Sequence, residues 1–169
     1  MVDIAFTTDA GTVIPRKWYV LYLNTGTSSA PVWSPVGKRV EDSSAEYDWG
    51  EESKTDIFGK TYTTFKDPVM TQSFDPCELD AGDVAQVKIW NQSIKDHDTS
   101  AMANNDMLLV HLYAAENFAE RYSSCAVKPS SIGGSATVDM PIDVTFGGDR
   151  TVGKATINAS GVVTFTEDA

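Results

Sequence analysis

Ala136-Thr137-Val138-Asp139-Met140-Pro141-Ile142-Asp143-Val144-Thr145-Phe146 is the stretch that decides the fold class. Ala136, Val138, Met140, Ile142, Val144 and Phe146 alternate without a break with Thr137, Asp139, Pro141, Asp143 and Thr145. Successive side chains of a strand point to opposite faces, so a strict period of two marks one buried face and one wet face. Pro141 has no N–H to give to a ladder, and on the polar face it predicts a sheet edge or a bulge.

The same logic extends outward in both directions. Gly147-Gly148-Asp149 turns the chain, and residues 152–157 and 162–165 read as closing strands separated by Asn158-Ala159-Ser160-Gly161. Upstream, residues 107–113 form a strand with both faces apolar, residues 118–128 return as its hairpin partner, and Ile132-Gly133-Gly134-Ser135 is a loop. Arg16-Lys17-Trp18-Tyr19-Val20-Leu21-Tyr22-Leu23 is again apolar on both sides, which predicts a strand covered on both faces or sealed by a neighbouring chain. Residues 24–31 are a loop, residues 33–40 a further strand partly excluded from pairing by Pro35, and residues 69–74 a short one.

One helix interrupts the strands. Asp75 reads as its N-cap, Pro76 as its first residue and Glu78 as the third, with an interruption allowed at Gly82. Val84, Val87, Trp90 and Ile94 recur at helical spacing as the anchors of this helix on the sandwich, Ala85 and Ile89 widen the stripe, and Lys88, Gln92 and Lys95 face water. Many short strands and one helix predict a mainly β protein, an antiparallel sandwich or barrel with a flanking α-helix. At 169 residues, with no internal repeat and no linker, a single domain over 1–169 is expected.

Residues 41–67 break the pattern. Glu41, Asp42, Glu46, Asp48, Glu51, Glu52 and Asp56 face the single Lys54 in its first part, and Tyr47, Trp49, Ile57, Phe58, Tyr62 and Phe65 stand among polar residues. Phe58-Gly59-Lys60 is a turn between Thr-rich segments of strand propensity. A segment with aromatics but few aliphatics makes no core alone, so it is read as a long arm or hairpin that either folds over the body or docks on another subunit. In the docking reading it is mobile in a free monomer.

Composition narrows the function. A hydrophobic fraction of 41% and a charged fraction of 22% are those of a globular chain, and the apolar runs at 18–23 and 107–112 are far too short for a bilayer. The start, Met1-Val2-Asp3-Ile4, has no basic region followed by an apolar stretch, so no signal peptide is expected and assembly is expected in a cytoplasm. Cys77 and Cys125 are then expected as reduced, buried small hydrophobes, with one bridge or one reactive thiol as the alternatives. A net charge of −11 argues against holding nucleic acid by phosphate neutralisation, though not against a surface past which DNA slides.

Chemistry is sparse. Gly148-Asp149-Arg150-Thr151-Val152-Gly153-Lys154 fits seven positions of a phosphate-binding loop, but Ala155 stands where Ser or Thr should hold Mg²⁺ and a strand pattern follows in place of a helix. These glycines are read as turn residues and Lys154 as a solvated strand end. His97 and His111, the two histidines, have no Cys or second His at ligand spacing, so no metal site, no cofactor and no catalytic set is expected. His97 reads as a solvated helix end and His111 as a satisfied core or interface group.

Read whole, residues from about 33 to the end resemble the major tail (tail tube) proteins of long non-contractile-tailed phages. The resemblance is carried by Trp33-Ser34-Pro35-Val36-Gly37-Lys38-Arg39-Val40, Tyr47-Asp48-Trp49-Gly50-Glu51-Glu52, Asp56-Ile57-Phe58-Gly59-Lys60-Thr61-Tyr62, Phe74-Asp75-Pro76-Cys77-Glu78-Leu79 and Met140-Pro141-Ile142-Asp143-Val144-Thr145-Phe146-Gly147-Gly148-Asp149-Arg150. It implies a two-sheet β-sandwich with a helix beside it, a non-enzymatic virion protein, and self-assembly into stacked six-membered rings. It further implies a tape-measure protein and a tail terminator as partners, DNA passing without specific binding, no membrane contact, and assembly in a host bacterial cytoplasm. A head-decoration protein is the alternative within virions, and a soluble carbohydrate-binding module the alternative outside them.

Overall fold

The computed structural model describes residues 3–169; Met1 and Val2, part of the start read as lacking a leader, lie outside the described residues. The strands are β1 Tyr19–Asn24, β2 Trp33–Pro35, β3 Ala45–Asp48, β4 Glu52–Thr55, β5 Thr61–Thr64, β6 Val69–Phe74, β7 Asn105–His111, β8 Phe118–Pro129, β9 Ile142–Thr145, β10 Arg150–Ile157 and β11 Val163–Glu167. All pairing between them is antiparallel, and the protein is mainly β.

The twelve-residue β8 is shared by two sheets. Its first half pairs with β7 and β10, completing the order β2-β1-β7-β8-β10-β11. Its second half, from Ala126 to Pro129, pairs with β9 in the order β8-β9-β6-β3. The change of sheet falls between Cys125 and Ala126, just after an irregularity at Ser123 and Ser124, whose amides donate to the carbonyls of Asp149 and Gly147 at 3.3 and 3.2 Å. Gly148 crosses here at φ +73°, and a Cβ on it would lie 2.7 Å from the amide nitrogen of Ser124, so only glycine fits.

Between the sheets lies the core. Leu21, Leu23, Met107 and Leu109 meet Met70, Phe74, Ile142, Val144 and Phe146 across it, with Ala85 and Ile89 of the helix closing one side. The opposite face of the first sheet is also covered: Tyr22, Trp33, Leu108, Val110, Ala119, Ala155 and Val163 form a second cluster. This accounts for the apolar runs in β1 and β7, whose residues pack alternately into one cluster and the other. Each fully buried aliphatic contributes roughly 1.5–3 kcal/mol.

The helix departs from its sequence reading. It runs as α1, Val84–Trp90, followed by a π-helical turn at Asn91–Lys95, and a second helix, α2, spans Thr99–Ala103. Asp75 and Pro76 do not start α1. The amide of Leu79 donates to Val138 at 2.9 Å, and Cys77 accepts from Met140 at 2.8 Å, so this segment is held extended beside residues 138–140. Asp83 is the true N-cap, accepting from the Gln86 amide at 3.2 Å. The packing face is also rotated from the expected stripe. Val84 and Val87 are 56% and 40% exposed, while Ala85, Gln86 and Ile89 are buried and Trp90 and Ile94 pack half-buried on the core. The cause is Gln86, whose side chain turns inward to the Glu78 carbonyl at 2.8 Å and the Asp80 amide at 3.1 Å.

Four further expectations differ from the structure. Of the alternating stretch, Met140, Ile142, Val144 and Phe146 are buried, but Ala136 and Val138 are exposed and the strand is only Ile142–Thr145. Pro141 does not mark an edge: it stands one residue ahead of β9, which lies between β8 and β6. Gly153 is no turn residue; it sits inside β10, where a Cβ would lie 2.1 Å from the Thr166 carbonyl oxygen of β11. Lys154 is likewise within β10, its Nζ 3.6 Å from Glu116.

Candidate assembly surfaces

The arm is a built hairpin. β3 pairs with β6 from Ala45↔Gln72 to Asp48↔Val69, and beyond Trp49 the chain leaves the body. β4 and β5 pair only with each other, Glu52↔Thr64 to Thr55↔Thr61. Hydroxyl contacts between Ser53 and Thr63 (2.9 Å) and between Thr55 and Thr61 (3.1 Å) form rungs across the exposed ladder. At its foot Lys66 meets Glu52 at 2.6 Å. At its tip Asp56 Oδ1 accepts from the amides of Phe58 and Lys60, both at 2.9 Å. This side-chain acceptor closes the turn and leaves Gly59 at φ +79°.

Every residue of β4 and β5 is exposed, so the hairpin does not fold over the body. The six aromatic or apolar residues singled out in the arm divide into three places. Ile57 and Phe58 occupy the tip at 94% and 89% exposure; Tyr62 and Phe65 lie exposed along the return; Tyr47 and Trp49 stand at the root. The two root rings stack, with centroids 5.6 Å apart and planes 12° apart.

Beside the root lies a cleft of about 610 Å³ walled by Tyr47, Trp49, Met70 and Phe146, with Asp67 and Asp149 among its lining residues. A polar network supports it. Glu120, nearly buried, accepts from His111 Nε2 at 2.8 Å, from Arg150 at 2.7 Å and from the Tyr122 hydroxyl at 3.2 Å. Burial pushes the Glu120 carboxyl up, but the hydrogen bonds and charges of His111 and Arg150 prevail and hold it below the usual carboxylate range. Three strands contribute to this network, and nothing in local sequence links them. A second cleft, about 630 Å³, is lined by β1, β2 and β6 residues together with Arg16, Lys17 and Lys38.

None of this geometry forms an activated nucleophile. His111 Nδ1 lies 2.7 Å from the Tyr113 hydroxyl, but burial and Glu120 raise that phenol above its ordinary value, opposite to what attack requires. Cys77 and Cys125 are free and buried, and burial pushes the Cys125 thiol up to about 12. Residues 148–154 run from a turn into β10, so no helix N-terminus presents amides to a phosphate. Among the described residues, no group of three or more His, Cys, Asp or Glu is arranged to hold a metal ion, and no helix is long and apolar enough to cross a membrane.

The sheets also end in open strands: β2 and β11 in the first, β3 in the second. Exposed Ile4, Phe6 and Val13 add apolar surface ahead of β1 that the sequence reading did not single out. Phe6 packs edge-on against Tyr113, and Phe6 pairs with Ala114, a contact whose partners lie too far apart in sequence for any local signal.

No family model matches the chain, and no curated protein matches it. Among solved structures, a chain from the sheath–tube complex of an extracellular contractile injection system (PVC) in the extended state is similar, with a TM-score of 0.50 and 9% identity over 85% of this chain and 93% of that one. A chain from the sheath/tube terminator of such a system has the same TM-score and identity over 85% of this chain and 99% of its own length. At that identity the likeness is one of fold: the antiparallel sandwich with its flanking helix is an architecture that injection-system assemblies also use.

Proposed function

We propose that this chain is a single-domain structural subunit of a phage-type tail tube, assembling with copies of itself into stacked rings around a channel, and that it is not an enzyme. The observation that carries the reading is the projecting hairpin, with Ile57 and Phe58 almost wholly in water at its tip. An ordered, apolar, exposed projection has its natural partner in another surface, and burying each of these side chains is worth roughly 1.5–3 kcal/mol. The open edges of β2, β3 and β11 support the same reading, because lateral pairing between subunits removes exposed edges. Sixfold rings, a tape-measure protein inside, a terminator above and DNA passage come from the sequence resemblance to non-contractile tails. The fold likeness is to chains of contractile systems, and a tube subunit is common to both. With −11 per copy, a share of the carboxylates is proposed to line the channel and keep DNA from binding.

Electron microscopy of the concentrated protein tests this, with and without a tail-initiation complex as seed. Hollow tubes of uniform width are expected, labelled along their length by antibody to this chain. Virions whose tubes lack the chain while their heads carry it would overturn the reading in favour of decoration.

A further inference from the structure

We propose that the hairpin tip of one copy seats in the aromatic cleft at the hairpin root of the next copy, with Lys54 and Lys60 facing Asp67 and Asp149. The proposal rests on the assembly reading above and names its repeating contact.

The occupant is another molecule because the tip cannot reach its own cleft. Trp49 and Asp67 flank the foot of the hairpin, and Ile57 lies five residues beyond Glu52, in the turn that closes the β4–β5 ladder. At about 3.4 Å per residue the tip stands roughly 17 Å away.

Charge selects this cleft over the other. Residues 41–56 are acidic, yet the hairpin itself, 52–66, holds Lys54, Lys60 and Lys66 against Glu52 and Asp56. Lys66 is taken by Glu52, and Asp56 closes the turn. Lys54 and Lys60 remain near the tip without an ion pair among the described residues, and so do Asp67 and Asp149 at the cleft. Arg150, the cation among the cleft's lining residues, is bound to Glu120 at 2.7 Å. The larger cleft is of mixed sign, Arg16, Lys17 and Lys38 standing with Glu41 and Asp83, and Lys38 is paired with Asp80 at 3.2 Å. The tip's two apolar side chains and two lysines thus find apolar walls and unpaired carboxylates in one cleft and mixed charge in the other. Tip and cleft are different patches of one molecule, so the contact is head to tail and propagates into a ring or a filament.

Two experiments test it. Full-length protein carrying both Thr61→Cys, exposed beside the tip, and Val69→Cys, exposed beside the cleft, is concentrated and treated with a short bis-maleimide, the native thiols being buried. A covalent ladder of dimers, trimers and longer chains is expected. Monomers alone, or dimers with no higher species, overturn the contact, whether or not the wild type forms tubes. Tubes without a ladder therefore sink this proposal and leave the tube reading standing; a ladder without tubes does the reverse. Separately, Lys54→Glu with Lys60→Glu, or Asp67→Lys with Asp149→Lys, should raise the concentration needed for assembly by at least about tenfold, because like charges then face each other. Combining the four substitutions in one chain should restore assembly. Failure of the combination to rescue, in variants that melt like the wild type, overturns the pairing.

Discussion

In the β7–β8 hairpin, Met107, Leu108, Leu109 and Val110 are wholly buried; in the β4–β5 hairpin every strand residue is exposed. Both are antiparallel ladders, the β4–β5 register unbroken and the β7–β8 register shifted once, between Asn105 and Met107. Since a backbone hydrogen bond nets only about 0.5–1.5 kcal/mol in either place, pairing does not distinguish them. Burial does. β7 drives apolar side chains into a cluster on each of its faces, whereas an isolated two-stranded hairpin is marginal in water and here leans on its turn, its hydroxyl rungs and its foot in the body. The body is thus stabilised by what it hides, and the arm keeps its apolar side chains in water.

Substitutions in the body and in the arm should therefore differ in cost. Leu109→Ala, in the core, should cost about 2–5 kcal/mol in urea unfolding, the transfer loss plus a cavity. A loss below about 1 kcal/mol would mean that β7 does not anchor the body.

Glu120→Ala should cost about 1.5–3 kcal/mol, because His111 and Arg150 lose a charged acceptor. The pH sign follows from the lowered carboxyl. Its stabilising contribution is complete above the unfolded value of about 4.3 and is lost as pH falls through the lower folded value. Melting temperature should therefore drop more steeply on acidification below about pH 4.3 in the wild type than in Glu120→Gln. Parallel acid profiles would show that the network does not supply this dependence.

Asp83→Ala should cost about 0.5–2 kcal/mol by removing the N-cap of α1. Asp75→Ala, at the position the sequence favoured, should cost less. Equal losses would return the helix start to Asp75.

Phe58→Ser should change unfolding free energy by no more than about 0.5 kcal/mol, since the side chain is in water. The same substitution should abolish assembly, read by sedimentation. A large stability loss would place Phe58 against the body and erase the contrast between arm and core.

The strands were largely legible in the sequence. Residues 69–74 coincide with β6, and residues 118–128 with β8 to within one residue. The arm was legible as a segment, because aromatics without aliphatics have no core to join. The helix start was misread although Asp83 and Gln86 stood three apart, a capping spacing that the stronger-looking Asp75-Pro76 signal outweighed. The cleft was not legible. Its walls come from β3, β6 and the turn after β9, and its floor is organised by side chains from β7, β8 and β10.

Local period is carried by the residues themselves: which stretches alternate, which are apolar on both sides, and where charge replaces core. Backbone geometry sets those properties residue by residue, so they can be read without knowing any partner. Which of two plausible caps starts the helix, which face of it packs, and which side chains wall a common cleft are set by packing between distant segments. Those outcomes depend on contacts between segments distant in the chain, such as Leu79 with Val138 and Glu120 with Arg150, where one long-range hydrogen bond or ion pair outweighs a local preference of similar size.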